Sequence, residues 1–179
     1  MSTRNQAKIS ELIDGPWERL SSRAVRVMLT RRDVSYSQLA KALTQIGVAE
    51  SERSIEGKVH RGTFRHTFFL QVLTASSSLY PDRWAGALQS EMSWEERATA
   101  ILRGELSLQP WLDWVKLSNR LEEIGVCVEP ETLRVQIEDG SFSTALFLQC
   151  ATVCRFAGIH LFLDQFDLNE AALAGGSAT

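Results

Sequence analysis

Apolar residues recur at helical spacing along most of the chain, and the pattern occurs twice. From Trp17 to about Arg31, Leu20, Ala24, Val27 and Met28 fall three or four positions apart, which predicts a helix with one buried face. Pro16 stands just ahead of this run, where its fixed φ suits a helix start. Ser35 or Ser37 can cap a second helix carrying Leu39, Ala42 and Leu43, with Gly47 ending it. Ser51 can cap a third, in which Ile55 and Val59 face inward and Gly62 is the C-terminal stop. Thr63 opens a fourth, holding Phe64, Phe68, Phe69, Val72 and Leu73.

The second half repeats this plan. Ser93 and Glu96 form a capping-box pattern ahead of a helix from Trp94 to Leu106. A second helix is expected from about Trp111 to Glu123. Pro130 suits the first turn of a third that Gly140 closes, and Ser141 or Ser143 starts a fourth ending near Gly158. The tail has mixed periodicity, compatible with a short strand or a final helix from Asp167, and is expected to fray at its Gly-Gly end.

The duplication can be aligned residue by residue. At an offset of 78, residues 38–76 and 116–154 share eleven identities in 39 positions without a gap. They include Ile46-Gly47-Val48 with Ile124-Gly125-Val126, Gly62 with Gly140, Phe64 with Phe142, and Phe69-Leu70-Gln71 with Phe147-Leu148-Gln149. Upstream the match continues at an offset of 77, pairing Trp17-Glu18 with Trp94-Glu95 and Val25-Arg26 with Leu102-Arg103. Such self-similarity marks repeated supersecondary units. The expected layout is an N-terminal segment (1–15), repeat 1 (16–76), a linker with a short helix (77–92), repeat 2 (93–160) and a C-terminal tail (161–179). Two small helical domains are expected from it.

Composition narrows the function classes. The 179 residues are 44% apolar and 23% charged, as in ordinary globular proteins. The first residues lack the apolar core of a secretory signal, and no apolar run approaches about 20 residues. A cytoplasmic soluble protein with no membrane segment is expected. Cys127, Cys150 and Cys154 read as small buried hydrophobes, and His60, His66 and His160 are scattered. No metal site and no cofactor are expected. Phosphate-binding loops, dinucleotide fingerprints and nucleophile elbows are missing from the sequence, so no catalytic residue is assigned and an enzyme is not expected.

Charge separates the repeats. Residues 17–75 carry ten Lys/Arg against five Asp/Glu, a net of +5. Residues 94–165 carry six against eleven, a net of −5. Attraction to phosphate dominates nucleic-acid affinity, so only repeat 1 is electrostatically suited to it.

The segment from Ser35 to Ala75 resembles the repressor-type helix-turn-helix family, through Gln38, Leu39, Ala40, Leu43, Ile55, Glu56, Gly62 and Leu70. Its turn is longer than the simplest form of that motif. The tandem layout is also similar to a bacterial family of domains of unknown function marked by an IGV…G.F…FLQ pattern, over most of residues 17–160. These resemblances imply an all-α fold of two tandem repeated helical modules of about four helices each, helix-turn-helix-like.

The residues themselves point to a DNA site in repeat 1. With Ile55 and Val59 inward, the third helix turns Arg53, Ser54, Gly57, His60 and Arg61 outward, with Lys58 at the edge. Arg pairs bidentately with guanine and Ser bonds base edges in the major groove, while Gly57 allows close backbone approach. Ser37 and Gln38, at the start of the second helix, are expected to clamp a phosphate. Thr63, Arg65 and His66, together with Arg61, are expected to hold the DNA backbone. Arg31 and Arg32 read as complements to a helix dipole. In repeat 2, Arg53, His60 and Arg61 become Glu131, Glu138 and Asp139, Gly57 becomes Val135, and Lys58 becomes Gln136. Trp84, Trp94, Trp111 and Trp114 read as core.

The expectation is therefore a sequence-specific, nucleoid-associated DNA-binding protein that regulates transcription. Repeat 1 reads double-stranded DNA, and repeat 2 serves dimerisation or a protein partner. Repressor-type modules act as two-fold dimers on half-sites about 34 Å apart, so the resemblance implies a homodimer. The alternative is a non-enzymatic protein–protein adaptor without DNA binding, in which the opposed charges drive head-to-tail association.

Overall fold

The computed structural model describes residues 2–177, with side chains from residue 15 onward. Repeat 1 supplies α1 (Ser2–Arg32), α2 (Tyr36–Gln45), α3 (Glu52–Arg61) and α4 (His66–Ala75). A 3-10 turn (Asp82–Trp84) and the short α5 (Ala85–Leu88) follow. Repeat 2 supplies α6 (Trp94–Leu106), α7 (Trp114–Glu122), α8 (Pro130–Glu138) and α9 (Thr144–Val153). A second 3-10 turn (Ala157–Leu161) and α10 (Gln165–Gly176) complete the order. The fold is all-α, two repeated modules of four helices each.

Local chemistry sets most of the helix ends. Ser35 and Gln38 form a capping box at α2, as Ser93 and Glu96 do at α6. Ser51 caps α3 and Gly62 closes it in the left-handed conformation, φ 72°. Pro130 occupies the first turn of α8. Several boundaries depart from the sequence pattern: α7 begins at Trp114 rather than about Trp111, and α9 ends at Val153, short of Gly158. Pro16 does not start a helix but lies inside α1, where it removes one backbone donor from the ladder. The tail forms α10 from Gln165 and stays helical through its glycines to Gly176. Finally, α4 begins at His66 rather than Thr63.

The late start of α4 explains how the repeats join. His66 N donates to Phe142 O at 3.0 Å and Thr144 N donates to Phe64 O at 3.1 Å, around an antiparallel bridge between Arg65 and Ser143. Each pair is related by the 78-residue offset, so the repeats meet about a local two-fold axis. The orphan donors that open α4 and α9 are thus satisfied from across the axis. Ser143 also caps α9 through Leu146 N, which Arg65, having no acceptor, cannot do for α4.

Packing follows the same symmetry. α1 of repeat 1 lies on α9 of repeat 2, and α6 of repeat 2 lies on α4 of repeat 1. Phe69 meets Phe162 edge-on at 5.1 Å, and their mates Phe147 and Trp84 do the same at 5.7 Å. Trp84 and Phe162, again 78 apart, stack on each other. The expected linker is therefore built into the core: Trp84 is buried and its indole donates to buried Glu105, which also takes Arg83. Arg31 and Arg32 do more than complement the α1 dipole, since they donate to Leu161 O and Ser76 O. One hydrophobic core runs from Trp17 to Ala171 through both repeats. At about 1.5–3 kcal/mol per fully buried large side chain, the aromatic residues on the axis outweigh its two backbone bonds, worth about 1 kcal/mol each.

Some buried assignments differ from the pattern. Val25 rather than Val27 belongs to the inward face of α1. Cys150 and Cys154 are buried, but Cys127 is exposed, because it follows the turn that leaves α7. Of the tryptophans, Trp94 and Trp114 are half-buried and Trp111 is exposed beneath the guanidinium of Arg120.

Two glycines shared by the repeats have a steric reason. A Cβ on Gly62 would sit 2.0 Å from Glu18 O, and one on Gly140 would sit 2.4 Å from Glu95 O. The first helix of each repeat thus rests its backbone on the end of the third. Gly62→Ala or Gly140→Ala should destabilise by about 2–4 kcal/mol, combining a left-handed φ with overpacking. Gly47→Ala, with φ +81° but open space around it, should cost only about 1 kcal/mol, all three variants being compared by urea titration. Because the core is shared, the full chain should melt in one cooperative transition followed by circular dichroism. A fragment of residues 1–78 should show none.

Candidate nucleic-acid interface

α3 is held with its outward side open. Ile55 and Val59 are buried, while Arg53, His60 and Arg61 are exposed around Gly57. A Cβ on Gly57 would lie 3.2 Å from the Arg61 guanidinium, so the glycine lets that side chain fold across the helix. Among the described residues, Arg53, His60 and Arg61 make no ion pair and no hydrogen bond. No carboxylate therefore compensates Arg53 or Arg61 at contact distance among the described residues.

The edge of the helix is different. Ser54 Oγ donates to Glu50 at 2.6 Å, and Lys58 forms an ion pair with the same carboxylate. Burial pushes the Glu50 carboxyl up, but the bonds from Lys58 and Ser54 outweigh it and hold it below its ordinary value. Lys58 also lies 5.1 Å from the centre of the Phe68 ring. Both side chains are thereby turned toward the α2–α3 turn and α4.

The remaining candidates divide. Gln38 spends its side-chain oxygen on Ser35 N at 2.8 Å in the capping box, and Ser37 is half-buried beside it. Thr63 and Arg65 are exposed on the connection from α3 to the axis. Arg65 lies close enough to Asp139 of repeat 2 to help lower its carboxyl, after the larger effect of the bonds from Ser141.

His66 must be removed from the interface. Its side chain is fully buried on the axis, stacked 4.0 Å from Phe147 and flanked by Phe69 and Phe142. Nδ1 lies 3.4 Å from Thr144 Oγ1, and Nε2 has no partner among the described residues. The spacing counts it among the residues holding the DNA backbone, but the cross-axis bond makes it the first residue of α4, turned into the core.

The same face in repeat 2 is chemically inverted. Arg134 is clamped by Glu131, at 2.9 and 2.5 Å, and by Glu138. Val135, the mate of Gly57, is 45% exposed. Repeat 2 also exposes Leu108, Trp111 and Val115 near one another in sequence.

Sequence reasoning missed Arg19 and Arg26. Both are on α1, whose packing against α3 brings them to a groove shared with His60 and Arg61. Nothing in the local pattern says which helix α1 covers. Among the described residues no group of three metal-ligating side chains occurs, and no helix is long and apolar enough to cross a membrane.

Burial of His66 has a pH signature. Loss of water pushes its pKa down from the ordinary 6.5 to about 3. The unfolded chain then takes up a proton before the folded one as pH falls, so stability drops between about 6.5 and 3. The loss should reach about 2 kcal/mol by pH 5. His66→Phe should flatten the dependence of urea stability over pH 6.5–5, whereas an unchanged slope would exclude His66 as its source.

Comparison with known proteins places the chain by family. Nothing matches among curated proteins or among solved structures. The model of a family described as a domain of unknown function, DUF6471, matches twice, over residues 17–78 and 94–159. These segments cover most of the sequence and coincide with the two modules that meet about the axis. The chain belongs to the DUF6471 family and carries two copies of its domain.

Proposed function

We propose that this protein binds double-stranded DNA sequence-specifically through α3, as a non-enzymatic, nucleoid-associated regulator of transcription. The observation that carries this reading is the cluster of Arg53, His60 and Arg61, exposed around Gly57 and without ionic partners among the described residues. Arg53 stands in the first turn of α3, the end of a reading helix that reaches base edges. In this reading Arg61 and Arg65 meet phosphates, which their exposure supports, and Thr63 lies between them on the same exposed connection. The acidic face of α8 would repel a duplex, which leaves one reading helix per chain.

Repeat 2 has a second role in this reading. Its α6 and α9 are taken up in the internal pairing, where they stand in for the partner subunit of a two-fold dimer. Its exposed residues include the acids of α8 and, elsewhere on repeat 2, Leu108, Trp111 and Val115. That combination supports a contact with a basic protein partner, and it is the feature that would favour an adaptor role.

Selection of bound duplexes from a random pool by the full chain should yield a preferred sequence. Arg53→Ala should lower discrimination at one base position by about 5–150-fold, the worth of a bidentate pair. Arg65→Ala should weaken all sequences alike. Absence of a mobility shift at 50 mM salt would overturn the DNA reading, and retention of a basic protein by repeat 2 in that case would favour the adaptor.

A further inference from the structure

The groove between α1 and α3 adjoins the candidate reading face and shares His60 and Arg61 with it. It encloses about 410 Å³, the space of roughly a dozen waters. Arg19 and Arg26 line it from α1, two turns apart and so on one face of that helix. His60 and Arg61 line it from the last turn of α3, and Ser22 and Tyr36 add hydroxyls. Glu18 and Glu56 are the acids on its walls. Arg19, Arg26 and Arg61 make no ion pair among the described residues, so cationic donors from two helices line one open groove.

The molecule contains its own comparison. The two-fold axis carries Arg19 to Glu96, His60 to Glu138 and Arg61 to Asp139, while Arg26 stays basic as Arg103 and Glu56 becomes Arg134. There Arg134 is neutralised by Glu131 and Glu138. At the place of Ser22, Thr99 donates to Ile137 O at 2.8 Å and ties α6 to the end of α8. Ser22 makes no such link to α3 among the described residues. One fold thus presents a basic groove in repeat 1 and a laced, acidic one in repeat 2. A requirement of packing alone would act on both.

We infer that the α1–α3 groove of repeat 1 seats a phosphate group, held between Arg19 and Arg26 on one side and His60 and Arg61 on the other. Guanidinium forks match phosphate oxygens bidentately, and Tyr36 and Ser22 can donate to the remaining oxygens. On the DNA-binding reading, on which this assignment of source rests, the phosphate belongs to the duplex backbone next to the groove entered by α3. The seat then fixes how the reading helix is aimed without reading sequence itself.

The test uses the full chain and the Arg19→Ala/Arg26→Ala variant, both alterations being at exposed side chains. Binding to a random duplex pool is followed by fluorescence anisotropy across a salt series. Loss of one phosphate contact should reduce the slope of log K against log salt by about 0.9 and weaken every duplex alike. The preference for the selected sequence should be unchanged. A parallel titration with inorganic pyrophosphate follows the arginine side-chain signals by NMR. An unchanged salt slope in the variant would overturn the seat. If the parent binds no DNA, but pyrophosphate moves the Arg19 and Arg26 signals and the variant loses that response, the phosphate seat stands and the DNA reading falls. If the parent binds neither, the seat is overturned.

Discussion

The pairing of residues 64–66 with residues 142–144 constrains the rest of this structure. Two reciprocal backbone bonds there leave each repeat only one way to meet the other. With that contact fixed, the aromatic residues that follow on α4 and α9 fall onto the axis, and the first helix of each repeat reaches the last helix of the other. The ends of α3 and α8 are then brought under α1 and α6, where only a glycine fits. Many of the positions that stay identical between the repeats, such as Gly62 with Gly140 and Phe69 with Phe147, are ones this geometry needs. His66 and Thr144 are the exception on the axis itself. A strictly repeated histidine would set two imidazoles against each other there, and the unlike pair lets one ring stack while a hydroxyl meets its nitrogen.

Much of the fold was legible in the sequence because its signals are local. Ser35, Ser51, Ser93 and Pro130 mark helix starts through groups within one turn, and the buried faces of α2, α3, α7 and α8 follow from spacing alone. The unread part is non-local. Nothing near Phe64 says that its carbonyl will bond Thr144, so spacing alone starts the helix at Thr63 and counts His66 among the DNA contacts. Nor did the Ser-rich stretch after α4 reveal that Trp84 would anchor it between Phe147 and Phe162. The two repeats were visible as sequence, whereas their single core was visible only as packing.

The candidate site shows the same division. Arg53, His60 and Arg61 could be placed by turning a helix about Ile55 and Val59. The engagement of Lys58 and Ser54 by Glu50 could not, because Glu50 lies before the helix cap and reaches them only through the shape of the turn. Arg19 and Arg26 needed a tertiary contact to become neighbours of α3. Where a residue points was thus readable, but what it meets was often not.

The axis relates two halves that are alike within and opposite without. A homodimer built from one sequence must carry the same charge on both sides of its axis, and so has no electrical moment across it. Fusion of the two units into one chain removes that restriction. The opposite charges on the two modules, separated by a rigid shared core, give the molecule a permanent dipole directed from repeat 2 to repeat 1. Any extended polyanion would exert a torque on it before contact, turning α3 inward and α8 away. Orientation would then be set during approach, not by trial after collision.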